Sequence, residues 1–299
     1  MSARLRGVGL VLVAAFATAC MGLFAKEALE RGSDPRSLLA LRYLATAVLL
    51  GLPVLLVRAF PFRSRAARRR ALAIGIAMFI GGLCEIEALA RLPLSVVIVI
   101  LFISPLWLAL YSRAVRGERL GAGRQLAFAF VFAGIVCLVG PAVGDYDLVG
   151  LLYALGSSFA WAGILLGIEA SDDVEGFSPP VAVAIGAVVA ATIALLTAPL
   201  GVVEELGHGD RLPWFLALGI AATIGFGLIS LAMRDQHVFD VSVVAATEPL
   251  FAVLLGAVAL DERLSAVQLL GTVAIAFGVT LIATAGRSQA RSAPVFPVP

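Results

Sequence analysis

Three carboxylates and one guanidinium stand inside stretches that are otherwise apolar. Glu85 and Glu87 lie in 71–90, Glu248 lies in 239–260, which also carries Asp240 near its start, and Arg42 lies in 37–57. A charged side chain at the centre of a membrane helix costs about 2.5–3.5 kcal/mol on the insertion scale, so it faces a cavity, a partner or an interface. A carboxylate there can bind a cation or an amine, or carry a proton. A guanidinium can hold a carboxylate in bidentate fashion. Glu85 and Glu87 are two positions apart, about 200° around a helix, so they cannot face the same spot. One is expected in a cavity and the other against a neighbouring helix or near an interface; an internal ion pair is the competing reading. Arg42 lies about one turn into its segment, near the depth of Glu85. It can pair with Glu85 or snorkel to the interface, and both readings are open. Glu248 is followed by Pro249, which removes a backbone hydrogen bond and disfavours helix at the residue before it. A carboxylate beside a helix break reads as a binding or coupling site, or as a kink in which Glu248 pairs with a polar group on another helix.

The elements that must hold these groups are membrane helices. Of 299 residues, 61% are hydrophobic and 14% charged, against about a quarter charged in an ordinary soluble domain. The mean hydropathy is +1.03. A span needs about 20 apolar residues. Seven runs free of Asp, Glu, Lys and Arg meet this: 7–25, 92–112, 125–144, 148–168, 176–203, 212–233 and 264–286. With the three charged stretches they make ten spans joined by short connections. The runs do not alternate polar and apolar residues as membrane strands do. Arg4, Arg6 and the run ending Ala17-Thr18-Ala19-Cys20 also look like a signal peptide, but the further apolar segments make a first transmembrane helix the simpler reading. The tail 286–299, rich in Pro and Ser, is expected to be disordered.

Other chemistries are thinly represented. The net charge of +2, with no basic patch carrying interleaved aromatics, argues against nucleic acid. Cys20, Cys84 and Cys137 lie singly in apolar runs and read as small hydrophobes; with His208 and His237 near segment ends, no metal cluster is visible. No cofactor is expected. No Gly-x-x-x-x-Gly-Lys-Ser/Thr loop is present, so ATP drive within the chain is not expected. No Gly-x-Ser-x-Gly or His-Glu-x-x-His accompanies the carboxylates, which weighs against an intramembrane enzyme.

The chain also repeats itself. Ile103-Ser104-Pro105-Leu106 is followed by Gly117-Glu118-Arg119-Leu120, and Thr247-Glu248-Pro249-Leu250 by Asp261-Glu262-Arg263-Leu264, an offset of 144 residues throughout. Leu72–Ala77 matches Leu216–Ala221, and Pro35, Gly81 and Gly134 match Pro179, Gly225 and Gly278 at the same offset. Five spans per copy is an odd number, so the second copy is inverted. Two five-helix repeats, 7–143 and 148–285, are therefore expected about a pseudo-two-fold axis in the membrane plane, with the substrate between them near the midplane. Pro105 and Pro249 mark the helix breaks. Ser104 stands where its mate is Glu248, so the copies have diverged at the expected site. Glu118 and Glu262 read as helix-start acids. Trp161 is well inside its span and is a candidate for the cavity wall, while Trp214 reads as an interfacial anchor.

With these residues in hand, the chain resembles the drug/metabolite transporter superfamily in its ten-helix EamA type. The resemblance is carried by Gly22-Leu23-Phe24-Ala25-Lys26 ending the first helix and by Pro35 with Leu38-Leu39-Ala40-Leu41-Arg42-Tyr43. It is carried further by the doubled Pro-Leu steps with their Glu-Arg-Leu sequels, and by Gln268-Leu269-Leu270-Gly271 with Gly278-Val279. It implies a bundle of ten helices around a central cavity that moves small metabolites by alternating access. Two departures from the family pattern fall near the expected site. Met21 stands where Trp is common, and Glu85 and Glu87 stand where aromatic or neutral residues are usual.

The basic residues set an orientation. With both termini cytoplasmic, the inner side holds fifteen of the 22 Lys and Arg, largely through the run Arg58–Arg70. The expectation is an all-α protein of a bacterial cytoplasmic membrane. It would export small, amino-acid-like metabolites and exchange protons through Glu85, Glu87 or Glu248. The importer, the intramembrane enzyme and a purely structural scaffold are the alternatives. Its partners would be a small-molecule substrate, the lipid bilayer and protons; the sequence is silent on oligomeric state.

Overall fold

In the computed structural model, described over residues 3–56, 65–92, 94–117, 121–139, 146–171, 177–234, 236–251, 255 and 265–284, all regular structure is helical. The helices are α1 (Ala3–Glu30), α2 (Pro35–Leu56), α3 (Arg65–Arg91), α4 (Leu94–Leu101), α5 (Ser104–Val115), α6 (Ala122–Val139) and α7 (Leu148–Ser171). They continue as α8 (Pro179–Thr197), α9 (Pro199–Gly207), α10 (Leu212–Ala232), α11 (Val238–Ala245) and α12 (Ala266–Thr284). Residues 248–251, after α11, are helical again. The tail 286–299, Glu118 and Glu262 lie outside the described residues.

Local chemistry sets the ends of several helices. At the end of α1, Gly32 takes a positive φ of 83°, and the Ser33 amide donates to the Ala28 carbonyl at 3.1 Å, a left-handed stop that glycine adopts without strain. Asp34 then caps α2. Its Oδ2 accepts from the Ser37 amide at 2.8 Å and from the Ser37 hydroxyl at 2.7 Å, with Pro35 in the first turn, where a missing N–H is harmless. Pro199 divides the apolar run 176–203. The span α8 ends at Thr197, and α9 is a separate short helix packed on α2 and α8.

Among the described residues, six helices, α1, α2, α3, α7, α8 and α10, are long and apolar enough to cross a membrane; α6 and α12 contain shorter apolar helices. Large side chains such as Leu56, Phe159, Leu196, Leu200 and Leu270 are exposed, whereas much of the buried core is alanine. This inverts the habit of soluble proteins. It suits helices whose outer faces meet lipid and whose close contacts depend on small residues.

The helix contacts follow the repeat. α1 lies along α10, and α3 along α7; α3 meets α8, and α10 meets α2; α4 meets α7, and α11 meets α1. α2 packs on α8, and α6 on α12. Exchanging each first-half helix for the one 144 residues later maps this set onto itself. The α6–α12 crossing shows it at atomic detail. A Cβ on Gly134 would lie 2.7 Å from the Gly271 carbonyl oxygen, and one on Gly278 would lie 2.7 Å from the Ala127 carbonyl oxygen. Residues 127 and 271 are themselves repeat mates, so both glycines are required by the same close approach.

The fourth and ninth apolar runs break at equivalent places. α4 stops at Leu101 and α5 starts at Ser104; α11 stops at Ala245 and helix resumes at 248. At each break the chain makes two tight i to i−3 bonds. The Ile103 amide donates to Ile100 (3.1 Å) and Leu106 to Ile103 (2.8 Å), as Thr247 does to Val244 (3.1 Å) and Leu250 to Thr247 (3.0 Å). The breaks precede the prolines by two or three residues. Pro105 and Pro249 occupy the first turn of the resumed helix, where proline is tolerated.

Candidate functional site

The breaks open onto a cavity that runs between α1, α2, α3, α7 and α10 and the two broken runs. It contains about 590 Å³ of space free of atoms, counting its mouth and the solvent there. The polar lining is Thr18, Arg42, Tyr43, Glu85, Ser157 and Glu248. The apolar wall includes Met21, Phe102, Trp161, Ile164, Phe226 and Ile229, with Trp161 and Phe226 edge to face at 5.7 Å.

Arg42 is the most tightly held of these groups. It is 1% exposed. Its Nη1 donates to Glu85 Oε2 at 3.0 Å, and its Nη2 donates to Tyr43 Oη at 3.1 Å. Tyr43 Oη in turn donates to the Met78 carbonyl, and the guanidinium lies 4.8 Å from the Tyr43 ring centroid. Arg42 Nε is buried and has no hydrogen-bond partner among the described residues. Gly82 makes room for the arrangement. A Cβ there would strike Arg42 Nη2 and would lie 2.6 Å from Tyr43 Oη and 2.7 Å from Leu39 Cδ1.

Glu248 enters from the opposite half. It is the first residue of the helix that resumes after the α11 break, and it lines the cavity together with Thr18. The Thr18 hydroxyl reaches the Ala14 and Ala15 carbonyls, each at 3.1 Å. No cation pairs with Glu248 among the described residues. Among the described residues the cavity thus holds one guanidinium, its carboxylate partner Glu85 and a second carboxyl group without a counter-ion.

Of the residues singled out in the sequence, Met21, Arg42, Glu85, Trp161 and Glu248 come together here. Glu87 does not. It pairs with Arg91 one turn later on α3, and Arg91 also approaches Asp147 at 3.7 Å, ahead of α7. About 200° apart around α3, Glu85 lines the cavity and Glu87 pairs with Arg91 outside it. Ser104 is likewise absent from the lining. It is buried at the start of α5 with its Oγ unpartnered among the described residues. Leu101 and Ala245, which are repeat mates, both line the cavity, but the short serine does not extend as Glu248 does from the equivalent position. Trp107 donates to Ser158 Oγ at 3.2 Å, outside the cavity lining. Trp214 packs on Phe24 and beneath Arg31 at the end of α1.

Sequence reasoning missed Thr18, Tyr43, Gly82 and Ser157 as lining residues. Hydroxyls inside apolar helices commonly bond the preceding turn, as Thr18 does, so they carry little signal alone. Tyr43 and Gly82 each adjoin a residue that stood out, Arg42 and Gly81, and that adjacency was the available clue.

An all-helical bundle with lipid-suited outer faces and a charged internal cavity defines a multi-pass membrane protein built around a polar site. The family model of EamA-like transporters matches the chain twice, over residues 5–140 and 148–284. The chain belongs to the EamA-like transporter family. It is 29% identical over 243 residues to the threonine/homoserine exporter RhtA of Escherichia coli (strain K12), across 77% of this chain and 78% of that protein. It is 28% identical over 244 residues to the RhtA of Salmonella typhimurium (strain LT2), with the same shares covered. An uncharacterized transporter of Archaeoglobus fulgidus is 26% identical over 208 residues, covering 69% of this chain and 72% of its own. A solved crystal structure shares the fold, with a TM-score of 0.73, 21% identity and coverage of 94% of this chain and 96% of its own.

Proposed function

We propose that this protein exports small, amino-acid-like metabolites across the bacterial cytoplasmic membrane by alternating access, with proton exchange as the coupling step. The reading takes the chain as ten spans in two inverted five-helix repeats, with each broken run counted as one span. The contact pattern that maps onto itself supports that architecture. The observation that carries the function is the cavity itself: Arg42 and Glu85 from the first half meet Glu248 from the second, where both copies break a helix. Half-helix ends in a membrane interior are tolerated where they line a cavity, and that is where transporters place substrate. The name of the RhtA relatives supports the direction and the substrate class.

Glu248 is the best-placed proton carrier. When it is ionised, the Thr18 hydroxyl can donate to it. When it is protonated, it can donate to the Thr18 oxygen while Thr18 donates back to Ala14 or Ala15. Both states keep a hydrogen bond, so the group can change charge without leaving a buried polar atom unmatched.

The test is untargeted profiling of metabolites inside and outside bacterial cells expressing the chain, its Glu85→Gln, Glu87→Gln and Glu248→Gln variants at matched membrane levels, or none. One compound or a related set should accumulate outside with the parent and with Glu87→Gln, but not with the other two. Accumulation inside would reverse the direction. A chemically altered species with no net movement would replace transport by catalysis.

A further inference from the structure

The charges that line the cavity have a pattern that restricts what can sit there. Arg42 commits Nη1 to Glu85 and Nη2 to Tyr43, and keeps a buried Nε with no partner among the described residues. Glu248 presents a carboxyl group with no counter-ion among them. A carboxylate ligand alone would meet Arg42 but face two carboxyl groups, Glu85 and Glu248. An ammonium ligand alone would meet Glu248 and bring no anion to Arg42. A molecule bearing both charges matches both and brings no net charge into the membrane interior, where an uncompensated charge is expensive.

We infer that this cavity is a zwitterion site: it takes a small α-amino acid by its carboxylate on Arg42 and by its ammonium on Glu248, and it requires both charges at once. Glu85 acts as a positioning residue, holding the guanidinium in place from α3. The apolar wall of Met21, Trp161, Phe226 and Ile229 closes on the side chain and limits it to a small one. This inference rests on the reading of the cavity as the transport site.

The experiment uses the full-length protein reconstituted in liposomes. Counterflow of labelled L-homoserine is measured against unlabelled L-threonine, L-threoninamide, which is cationic only, and N-acetyl-L-threonine, which is anionic only. Quenching of Trp161 fluorescence, referenced to a Trp161→Phe variant, reads binding separately from transport. Threonine should compete, and each singly charged analogue should be weaker by about tenfold or more, the expected loss of one charge-assisted hydrogen bond. Glu248→Gln should weaken threonine and narrow its advantage over N-acetylthreonine, because one repelling carboxyl group has gone. If threoninamide or N-acetylthreonine competes within about threefold of threonine, by the same scale, the two-charge requirement is wrong while the transporter reading stands. If none of the twenty amino acids competes or quenches, the zwitterion assignment falls. If the profiling of cells also shows no compound moved, the transporter reading falls with it.

Discussion

At the scale of single residues, the site depends on a glycine as much as on its charges. Arg42 can lie buried between α2 and α3 because Gly82 carries no side chain where the guanidinium and the Tyr43 hydroxyl pass. Gly82→Ala must displace Arg42, and with it the Glu85 pair. Overpacking of this kind costs about 1–3 kcal/mol. The variant should melt several degrees below the parent in a detergent thermal-shift assay and should lose export. Gly81→Ala is the control, since its new methyl would meet the Ala160 methyl at 3.1 Å and can be relieved by a few tenths of an ångström. Equal stability of the two variants would show that the close passage over Gly82 is not needed. The contrast between Glu85 and Glu87 belongs to the same scale. Residues two apart on one helix end in unlike surroundings, one against a buried cation and the other against Arg91 nearer the helix end.

At the scale of elements, ion pairs tie helix ends that the membrane alone would not align. Asp240 in the first turn of α11 accepts from Arg124 at the start of α6, Nε to Oδ1 at 2.7 Å and Nη2 to Oδ2 at 3.0 Å. Both side chains are largely buried. Arg116, after α5, pairs with Glu169 near the end of α7. At the opposite ends of the helices, Glu205 of α9 accepts from Arg211 and from the Asp34 amide, which fastens α9 to the α1–α2 turn. Removing one partner of a buried, two-bond pair costs about 3–5 kcal/mol, because the other charge is stranded. Arg124→Ala should therefore lower the thermal midpoint strongly. The double exchange Arg124→Asp with Asp240→Arg should recover part of the loss, as read by a double-mutant cycle. A loss no larger than that of a surface pair, about 0–1 kcal/mol, would show that the pair does not pin α11.

At the scale of the whole molecule, the repeat and the basic residues together propose an orientation. Both termini would be cytoplasmic, and the connection between α6 and α7 would face outward. Green fluorescent protein fused at the C-terminus should fluoresce, and alkaline phosphatase fused after Tyr146 should be active while a fusion after Arg116 is not. The opposite pattern would invert the molecule and place the arginine run Arg58–Arg70 outside, against the usual positive-inside bias. Inversion would leave the cavity chemistry unchanged but would exchange the sides to which it opens.

Much of this was readable in the sequence, and for a physical reason. A bilayer imposes length and polarity on every span, so apolar runs mark helices directly, and a constant offset of 144 residues exposes the internal repeat without any coordinates. Buried charge is expensive in such a setting, which is why Arg42, Glu85, Glu87 and Glu248 stood out at once. The sequence alone could not choose between Glu85 and Glu87, because the choice depends on which face of α3 meets α2 and which lies toward the helix end. It could not place the break before Pro249 rather than at it, nor divide α9 from α8. It named Ser104 as a site candidate beside its repeat mate Glu248, although only the longer side chain reaches the cavity. The tertiary structure decided those points, because they turn on helix rotation, side-chain reach and the fit of Arg42 over Gly82. These are properties of helices packed against one another, and no single helix carries them.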